Sequence, residues 1–540
     1  MLRLIDPLAL AEEEGFVNKM NAKYVFCHDR IQEAAYSMTA EEESHIAMHY
    51  LAFLFSMSTM CYASKISDSV EMGCEILSKL GEELPRSYSD DNIELQIKTT
   101  QLMIDNISVM DLLAYRVMTD KTKIMAMKFL RRLKEVTEQV DPNLLPIVTL
   151  KMVEITLNYG MSPMSPVGFV YFGSLDANLG DIKGGYKFAS LAKSIVDRMK
   201  LREIAGQVFY VSADLVCFTE PLHIANENRL ENEALALAAG DVTCACYSRV
   251  MYASGAFWSG SKLSVSLELV TQGRRFLMSR GHDTSDDYLL LLQHAIIKLI
   301  GSAESKTMTD RDVKQRIFNR HNPHALEVYR FLKIYEAFIL DDYNRMKESA
   351  IEFFQCAAKS WVLTPNHIFH VLTGGLVAFR IYRETNIAFW LEQGEQFKAQ
   401  MQIWAEQGSS WTFENKCLLL EAEAHFSNDR IDLAQPLYDR AISSAKIHML
   451  VHEEALAYEL AANFFFNTSD FLTSLEYYTA AHEKYCQWGA YAKADSLYKS
   501  IQEKLTPFLG TLSAHPISIR NELQHPRCYS EGDHRKRKQR

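Results

Sequence analysis

The segment nearest to a nucleotide-phosphate loop is residues 255–262, with the sequence GAFWSGSK. A phosphate loop needs backbone N–H groups around the phosphates and an adjoining Lys-Ser/Thr pair that reaches the terminal phosphate and its magnesium ion. Here Ser261 separates Gly260 from Lys262, and a helical pattern precedes the segment where the motif requires a strand. The segment therefore does not predict nucleotide binding.

Histidine pairs with metal-ligand spacing occur at three places. His45 and His49 are one helical turn apart, but the glutamate that would act as general base after the first histidine is absent. Residues 321–324 (HNPH) and the pair His367 and His370 have no carboxylate cluster beside them. Because a zinc site needs three or four ligands, we expect no metal and no other cofactor.

Cys244 and Cys246 are too close in sequence to form an unstrained disulfide, and two further ligands would be needed for zinc. The chain contains ten cysteines and no C-x-x-C pair. Most of the ten fall within apolar helical patterns, so they are predicted to be reduced core residues of an intracellular protein.

Patterns of the common enzymes are also missing. The sequence contains no G-x-S-x-G and neither of the kinase strings HRD and DFG. A net charge of -11 argues against nucleic acid as the main partner, since phosphate binding needs a concentrated basic surface, and only residues 535–540 (RKRKQR) are strongly basic. The chain is therefore expected to be neither one of the common enzymes nor a protein whose main partner is nucleic acid.

Part of the sequence repeats a helical pattern. Residues 414–446 align with residues 454–486, 40 positions later, and each copy holds a small, aromatic and small residue at spacings of four and three. The trios are Ala434, Tyr438 and Ala441, and Ser474, Tyr478 and Ala481. Small residues let two antiparallel helices approach while the ring fills the gap, which is typical of a helical-hairpin repeat.

The same spacing, in weaker form, indicates that the repeat extends along the chain. With 23 Gly and 13 Pro in 540 residues and no sustained period-two alternation, the sequence predicts an all-α fold of TPR-like antiparallel hairpins forming an α-solenoid. Helices are predicted at 68–80 and 89–113, for example. The predicted divisions are 1–65 for N-terminal helices, 66–320 for degenerate repeats, 321–505 for TPR-like repeats and 506–540 for a disordered tail with a basic end.

Residues 46–64 carry no formal charge and approach the length that spans a bilayer. Their histidine, serine and threonine content favours a buried solenoid helix instead, because a helix inside a protein core can be apolar nearly all round. The cytoplasm is the expected location, and the basic tail leaves the nucleus open.

Four strings, in order, resemble the helical-repeat region of multidomain signalling proteins that combine an AAA/STAND-type ATPase, a GAF domain and a sensor histidine kinase. They are residues 26–38 (FCHDRIQEAAYSM), 118–130 (MTDKTKIMAMKFL), 159–173 (YGMSPMSPVGFVYFG) and 411–492, which includes HEEALAYELAANFFF and YCQWGAYAKA. The order and spread of the strings cover most of residues 24–500. The interval between the first string and residues 73–85 looks shorter than is usual for the family.

The resemblance implies positions of structural importance rather than catalytic roles. They are His28, Asp29, Arg30, Tyr159, Gly160, Ser162, Pro163, Glu453, Glu454, Trp488 and Gly489. Asp29 stands where it could cap a helix, and Gly489 where a helix could end in a left-handed residue. None of these positions needs a substrate.

The expected function is that of a non-catalytic scaffold or adaptor in intracellular signal transduction, resembling the connector between the ATPase module and the histidine kinase. Its concave surface would bind protein partners, including separate ATPase or histidine kinase modules. Two alternatives stay open. The chain could be part of an ATP-dependent sensor histidine kinase whose catalytic ends are missing from the gene model, or a nuclear adaptor that uses the basic tail.

Overall fold

A computed structural model describes residues 17–20, 23–26, 53–54, 66–85, 88–140, 143–301, 309–320, 323–356, 361 and 363–505. The chain divides into two compact units. Unit 1 comprises residues 1–86 and 119–144, and unit 2 comprises residues 87–118 and 145–540.

Within the described residues, unit 1 holds two strands and two helices, β1 (Val17–Met20), β2 (Lys23–Phe26), α1 (Ile66–Lys79) and α4 (Lys121–Val140). The strands pair antiparallel, with Val17 opposite Phe26. This hairpin was not predicted from the sequence, because four residues per strand are too few for a recognisable alternation. Helices α1 and α4 pack on each other, and Lys123 Nζ bridges to Glu82 Oε1 at 2.6 Å.

Unit 2 is helical throughout its described residues. Its helices are α2 (Asp90–Asp105), α3 (Val109–Leu113), α5 (Leu144–Tyr159), α6 (Ser165–Asn178), α7 (Ile182–Met199), α8 (Arg202–Thr219), α9 (Leu222–Ala238), α10 (Val242–Trp258), α11 (Leu263–Met278), α12 (Asp283–Ile300), α13 (Asp310–Arg320), α14 (Pro323–Ile339), α15 (Tyr343–Cys356), α16 (Asn366–Thr385), α17 (Ala388–Gln407), α18 (Ser410–Ser427), α19 (Ile431–Ile447), α20 (Val451–Asn467), α21 (Phe471–Trp488) and α22 (Tyr491–Leu505). Successive helices pack in consecutive pairs, an arrangement consistent with an α-solenoid.

The helix predicted over residues 89–113 is in fact two helices, α2 and α3. The backbone N–H of Asp111 donates to Ser108 Oγ at 3.0 Å, so Ser108 caps a new helix just after the first one ends. Serine competes with the helical backbone for hydrogen bonds, which is why it favours caps over helix interiors. The apolar period alone did not show this interruption.

The turns between the helices recur at regular intervals along the chain. Left-handed residues end many helices at intervals of about twenty residues, so that a two-helix hairpin takes about forty. In the first part of unit 2 they are Gly160, Gly180, Lys200, Gly240, Gly260, Gly281 and Gly301. Toward the C-terminus, Asp429 and Ser469 stand 40 residues apart, as do Met449 and Gly489.

Inner and outer helices alternate in this repeat. The inner helix α6 is buried at every residue from Ser165 to Ala177, whereas the outer helix α7 buries one side, which includes Phe188, Ala192 and Ile195. An outer helix is amphipathic because one face meets its hairpin partner and the other meets water. No described helix is both long and apolar enough to cross a membrane.

Two runs of hairpins, a first run (α6–α12) and a second run (α14–α22), pack against each other. The ring of Trp258 in α10 stacks on Phe369 in α16 with centroids 4.4 Å apart, and Phe257 lies 5.7 Å from Trp488 in α21. Farther along, the N–H of Ser409 donates to the carbonyl oxygen of Phe218 at 2.9 Å. The inner helices are therefore buried by the opposite run as well as by their neighbours.

The contact between runs can be isolated with two glycine substitutions. Gly240 and Gly260 have nearly the same left-handed φ, +77° and +80°. A Cβ on Gly240 would meet nothing within 4 Å, whereas a Cβ on Gly260 would lie 2.5 Å from His452 Nδ1 in the second run. We predict that Gly260→Ala lowers the apparent free energy of unfolding in urea by about 1–3 kcal/mol more than Gly240→Ala, because only the first forces buried groups apart. Equal losses would show that this contact between the runs is not tight.

Candidate functional site

The repeat trios lie at the helix–helix contacts. Ala434, Tyr438 and Ala441 in α19 and Ser474, Tyr478 and Ala481 in α21 are all buried. The Tyr438 hydroxyl donates to Glu423 Oε1 at 2.6 Å, and the Tyr478 hydroxyl donates to Asn463 Oδ1 at 2.7 Å. Both acceptors stand 15 residues before their tyrosine, on the preceding inner helix. The two rings are thus packing groups whose hydroxyls are satisfied internally.

The acidic pair Glu453 and Glu454 lies at the start of α20. Glu453 Oε2 accepts from Lys416 Nζ at 2.7 Å, and Lys416 is completely buried. Lys416 also donates to the carbonyl oxygen of Thr412 at 2.7 Å, and Asn415 Nδ2 donates to Glu453. Burial acts to raise the pKa of Glu453, but the charge of Lys416 and the hydrogen bonds from Lys416 and Asn415, together with His452, lower it overall. The group is an ionised carboxylate in a salt bridge, without the raised pKa of a general acid.

A second buried ion pair links the two strings HEEALAYELAANFFF and YCQWGAYAKA. Lys493 Nζ donates to Glu459 Oε1 at 2.6 Å, and the Tyr485 hydroxyl donates to Glu459 Oε2 at 2.8 Å. Glu454 pairs with Lys484, the residue just before the second string, whose Nζ lies 2.9 Å from Glu454 Oε2. Glu459, Lys493 and Lys416 were not predicted from the sequence. They could have been recognised as charged residues inside otherwise apolar helices, because a charge is buried only when it has a partner.

Trp488 connects this region to the first run. Its Nε1–H donates to the carbonyl oxygen of Ser261 at 3.1 Å, and its ring lies 5.4 Å from the ring of His452. Burial is the main reason that the pKa of His452 is lowered, to about 4, so this imidazole is neutral at pH 7. Gly489 directly after Trp488 takes the left-handed conformation that ends α21, with φ of 94°. We call Ser261, Lys416, His452, Glu453 and Trp488 the junction cluster.

A small cavity lies in the contact between the two runs. A cavity of about 20 Å³ adjoins Trp258 and is lined by Cys217, Asn226, Arg229 and Asn366 among others. That volume suits about one water molecule, whereas pockets for organic ligands hold roughly 300–1,000 Å³. The polar groups are also engaged with one another, as Arg229 is with Asp214 at 2.5 Å. This cavity can hydrate buried groups but cannot accept a substrate.

The N-terminal motif positions are distributed differently. Gly160 ends α5, and the next residue, Met161, forms a parallel bridge with Val117. The N–H of Ser162 donates to Ser165 Oγ at 2.9 Å in a buried set of hydroxyls, while Tyr159 and Pro163 are exposed. His28, Asp29 and Arg30 lie outside the described residues. So do His45 and His49, and all of residues 46–64 except 53 and 54.

The remaining candidates for chemistry occupy ordinary helical positions. Residues 255–262 form the end of α10 and the turn into α11, and an added Cβ on Gly255 would meet Asn226 Oδ1 at 2.3 Å. His367 Nδ1 lies 3.0 Å from the backbone N of Thr364, at the start of α16. Throughout the part of the chain that the structure describes, no three His, Cys, Asp or Glu side chains are arranged to hold a metal ion.

One cysteine is not in the reduced state that was predicted from the sequence. Cys244 and Cys246 form no disulfide bond, and neither do Cys74, Cys217 and Cys417. Cys486, however, is disulfide-bonded, so the prediction that all ten cysteines are reduced is wrong there.

The inner helices that meet at the junction cluster are covered by the opposite run. Trp258, Phe369 and Trp488 pack against one another or against their neighbours across the two runs. A partner cannot reach these faces without separating the runs. No protein-family model matches the chain, and a search of curated proteins finds no match either.

The buried pair of Lys416 and Glu453 provides a direct test of the junction cluster. Lys416→Met leaves the Glu453 carboxylate buried without its main countercharge, so the apparent free energy of unfolding is expected to fall by about 3–5 kcal/mol. The half-exposed pair of Lys398 and Glu395, 2.5 Å apart on α17, is the control. Lys398→Met is expected to cost no more than about 1 kcal/mol.

A double variant separates the lost ion pair from lost packing. Adding Glu453→Gln to Lys416→Met removes the uncompensated charge and should recover about 1–3 kcal/mol of that loss, measured by urea unfolding followed by circular dichroism. If Lys416→Met costs as little as Lys398→Met, the buried ion pair does not stabilise the packing of α18 and α20.

Proposed function

We propose that this protein is a non-catalytic, TPR-like helical-repeat scaffold or adaptor in cytoplasmic signal transduction. In this proposal it acts as a connector that holds ATPase or sensor histidine kinase modules, as the resemblance of its four strings suggests. The observation that carries the proposal is that the motif side chains form contacts inside the protein. Glu453, Glu454 and Trp488 are engaged in buried contacts with Lys416, Lys484 and Ser261.

The burial and pairing of these side chains favour a structural role over a catalytic one. A catalytic carboxylate must reach a substrate, and its pKa is tuned near the working pH. Glu453 has neither property, because it is buried in a salt bridge and its pKa is lowered. The neutral His452 is equally enclosed between the two runs. Such groups can fix the orientation of two helical runs, which is what a connector between modules requires.

The packing of the runs also restricts where partners would bind. Inner helices are covered, so docking would use the outer helices, whose exposed apolar residues include Leu433 and Ile447 on α19 and Phe389 on α17. Repeat proteins commonly bind other proteins through extended surfaces of this kind. The partners of this proposal are proteins, with neither nucleic acid nor membrane as a main target.

Two assays on the purified full-length chain test the proposal. Incubation with radiolabelled ATP is expected to give neither phosphate release nor protein phosphorylation above the level of a heat-denatured sample. A pull-down from the native cell extract, read by mass spectrometry, is expected to recover an ATPase or histidine kinase that a Lys416→Met bait retains poorly. ATP hydrolysis or autophosphorylation by the chain itself would contradict the proposal.

A further inference from the structure

Two aspartates meet at the turn between α6 and α7. Asp176 lies on the inner helix α6 and is 2% exposed, and Asp181 caps the N-terminus of α7. An added Cβ on Gly184 would collide with Oδ2 of both aspartates, so the two oxygens converge on the same stretch of backbone. Two carboxylates held this close oppose each other's ionisation, and burial makes the charged form of Asp176 still less favourable.

One side chain of α2 reaches both carboxylates. Gln101 Nε2 donates to Asp181 Oδ2 at 2.8 Å and to Asp176 Oδ2 at 3.3 Å. The apolar side of α2 is small and consists of three buried isoleucines, Ile93, Ile97 and Ile104. The charge of the carboxylates that Gln101 reaches therefore affects how firmly α2 docks on α6.

Few other charged groups act on this pair. They are Asp105 of α2 and Lys187 of α7, which form an ion pair at 3.0 Å. Helix α17 of the second run contributes the uncharged Gln407, which donates to the backbone of the turn at 2.8 Å. Asp111 of α3, the helix that packs on α7, accepts from the hydroxyl of Ser108. The pair of aspartates thus has one nearby cation, which is already engaged with a carboxylate.

The turn before α10 provides a comparison. Asp241 caps α10 with a hydrogen bond of 2.9 Å, the same distance at which Asp181 caps α7. Five residues before the capping aspartate, this turn has Ala236, whereas the turn before α7 has Asp176. Capping alone therefore needs no second carboxylate, and the buried Asp176 calls for another explanation.

The state of Asp176 depends on pH near neutrality. Burial is the main reason that the pKa of Asp176 is raised to about 7, and the charges of Asp181 and Asp105 add to the increase against the opposing effect of Lys187. An aspartate in water has a pKa of about 3.9. With α2 docked, Asp176 thus keeps a proton that it would lose in water. Docking is strongest at low pH, weakens as the pH rises from about 4 to about 7, and changes no further above that range.

We propose that the proton on Asp176 makes this turn a pH-sensitive clasp for α2. The protonated carboxyl beside Asp181 lets α2 stay docked, whereas loss of the proton sets two negative charges against each other and releases the helix. Residues 87–118, which carry α2 and α3, stand in the chain between the two segments of unit 1. The clasp therefore acts on the part of unit 2 that connects those segments in the sequence. This inference does not depend on the proposed connector role.

Hydrogen exchange of the full-length chain tests the clasp. Protection factors of the amides of α2 are measured at pH 5 and pH 8 with EDTA present, and α19 serves as the internal reference. Since an isolated helix of this length is barely stable in water, release of α2 appears as lost protection. In the wild-type chain, the protection of α2 relative to α19 is expected to fall at least tenfold from pH 5 to pH 8.

Two variants assign the effect to Asp176. Asp176→Asn keeps the shape of the protonated carboxyl but cannot ionise, so α2 is expected to remain as protected at pH 8 as wild type is at pH 5. Asp241→Asn is the matched control and is expected to lose protection of α2 between the two pH values as wild type does.

The wild-type comparison decides even if Asp176→Asn does not fold. Equal protection of α2 at pH 5 and pH 8 in the wild-type chain would overturn the proposal. A folded Asp176→Asn chain that still loses the protection of α2 at pH 8 would overturn it as well.

Discussion

The packing of two helical runs on each other is the constraint on which the remainder of unit 2 depends. In a simple solenoid each repeat contacts only its neighbours, and stability is a sum of local terms. Here the stacked rings of Trp258 and Phe369 and the hydrogen bond from Trp488 to Ser261 add contacts between repeats that are far apart in sequence. These contacts bury the inner helices, which explains why helices such as α6 lack a polar face.

Buried charge follows from the same packing. Lys416 with Glu453 and Lys493 with Glu459 sit where an apolar environment makes an unpaired charge costly, so each pair must be complete. Buried ion pairs add little net stability compared with apolar residues of the same shape, but they penalise any arrangement that separates the partners. The two pairs therefore favour one relative position of the helices that carry them.

Local features were predictable from the sequence, and distant ones were not. The helices followed from apolar periodicity, and Tyr438 and Tyr478 stood out because their copies are 40 residues apart. Glycines at 240, 260, 281 and 301 could also have revealed the twenty-residue turn spacing. By contrast, Trp488 meets Ser261 across 227 positions, and Lys416 meets Glu453 across 37. The first contact depends on how the two runs pack, and the second on how two inner helices of the second run meet; apolar periodicity encodes neither. The hairpin of β1 and β2 was too short to detect.

Native-state hydrogen exchange in increasing urea tests the central claim most directly. If the runs bury each other, the slowest amides of α10 in the first run and α20 in the second open in one cooperative event. They should then share one opening free energy and one dependence on urea. Separate openings, with each run showing its own smaller dependence on urea, would contradict the account and would describe two independent stretches of solenoid.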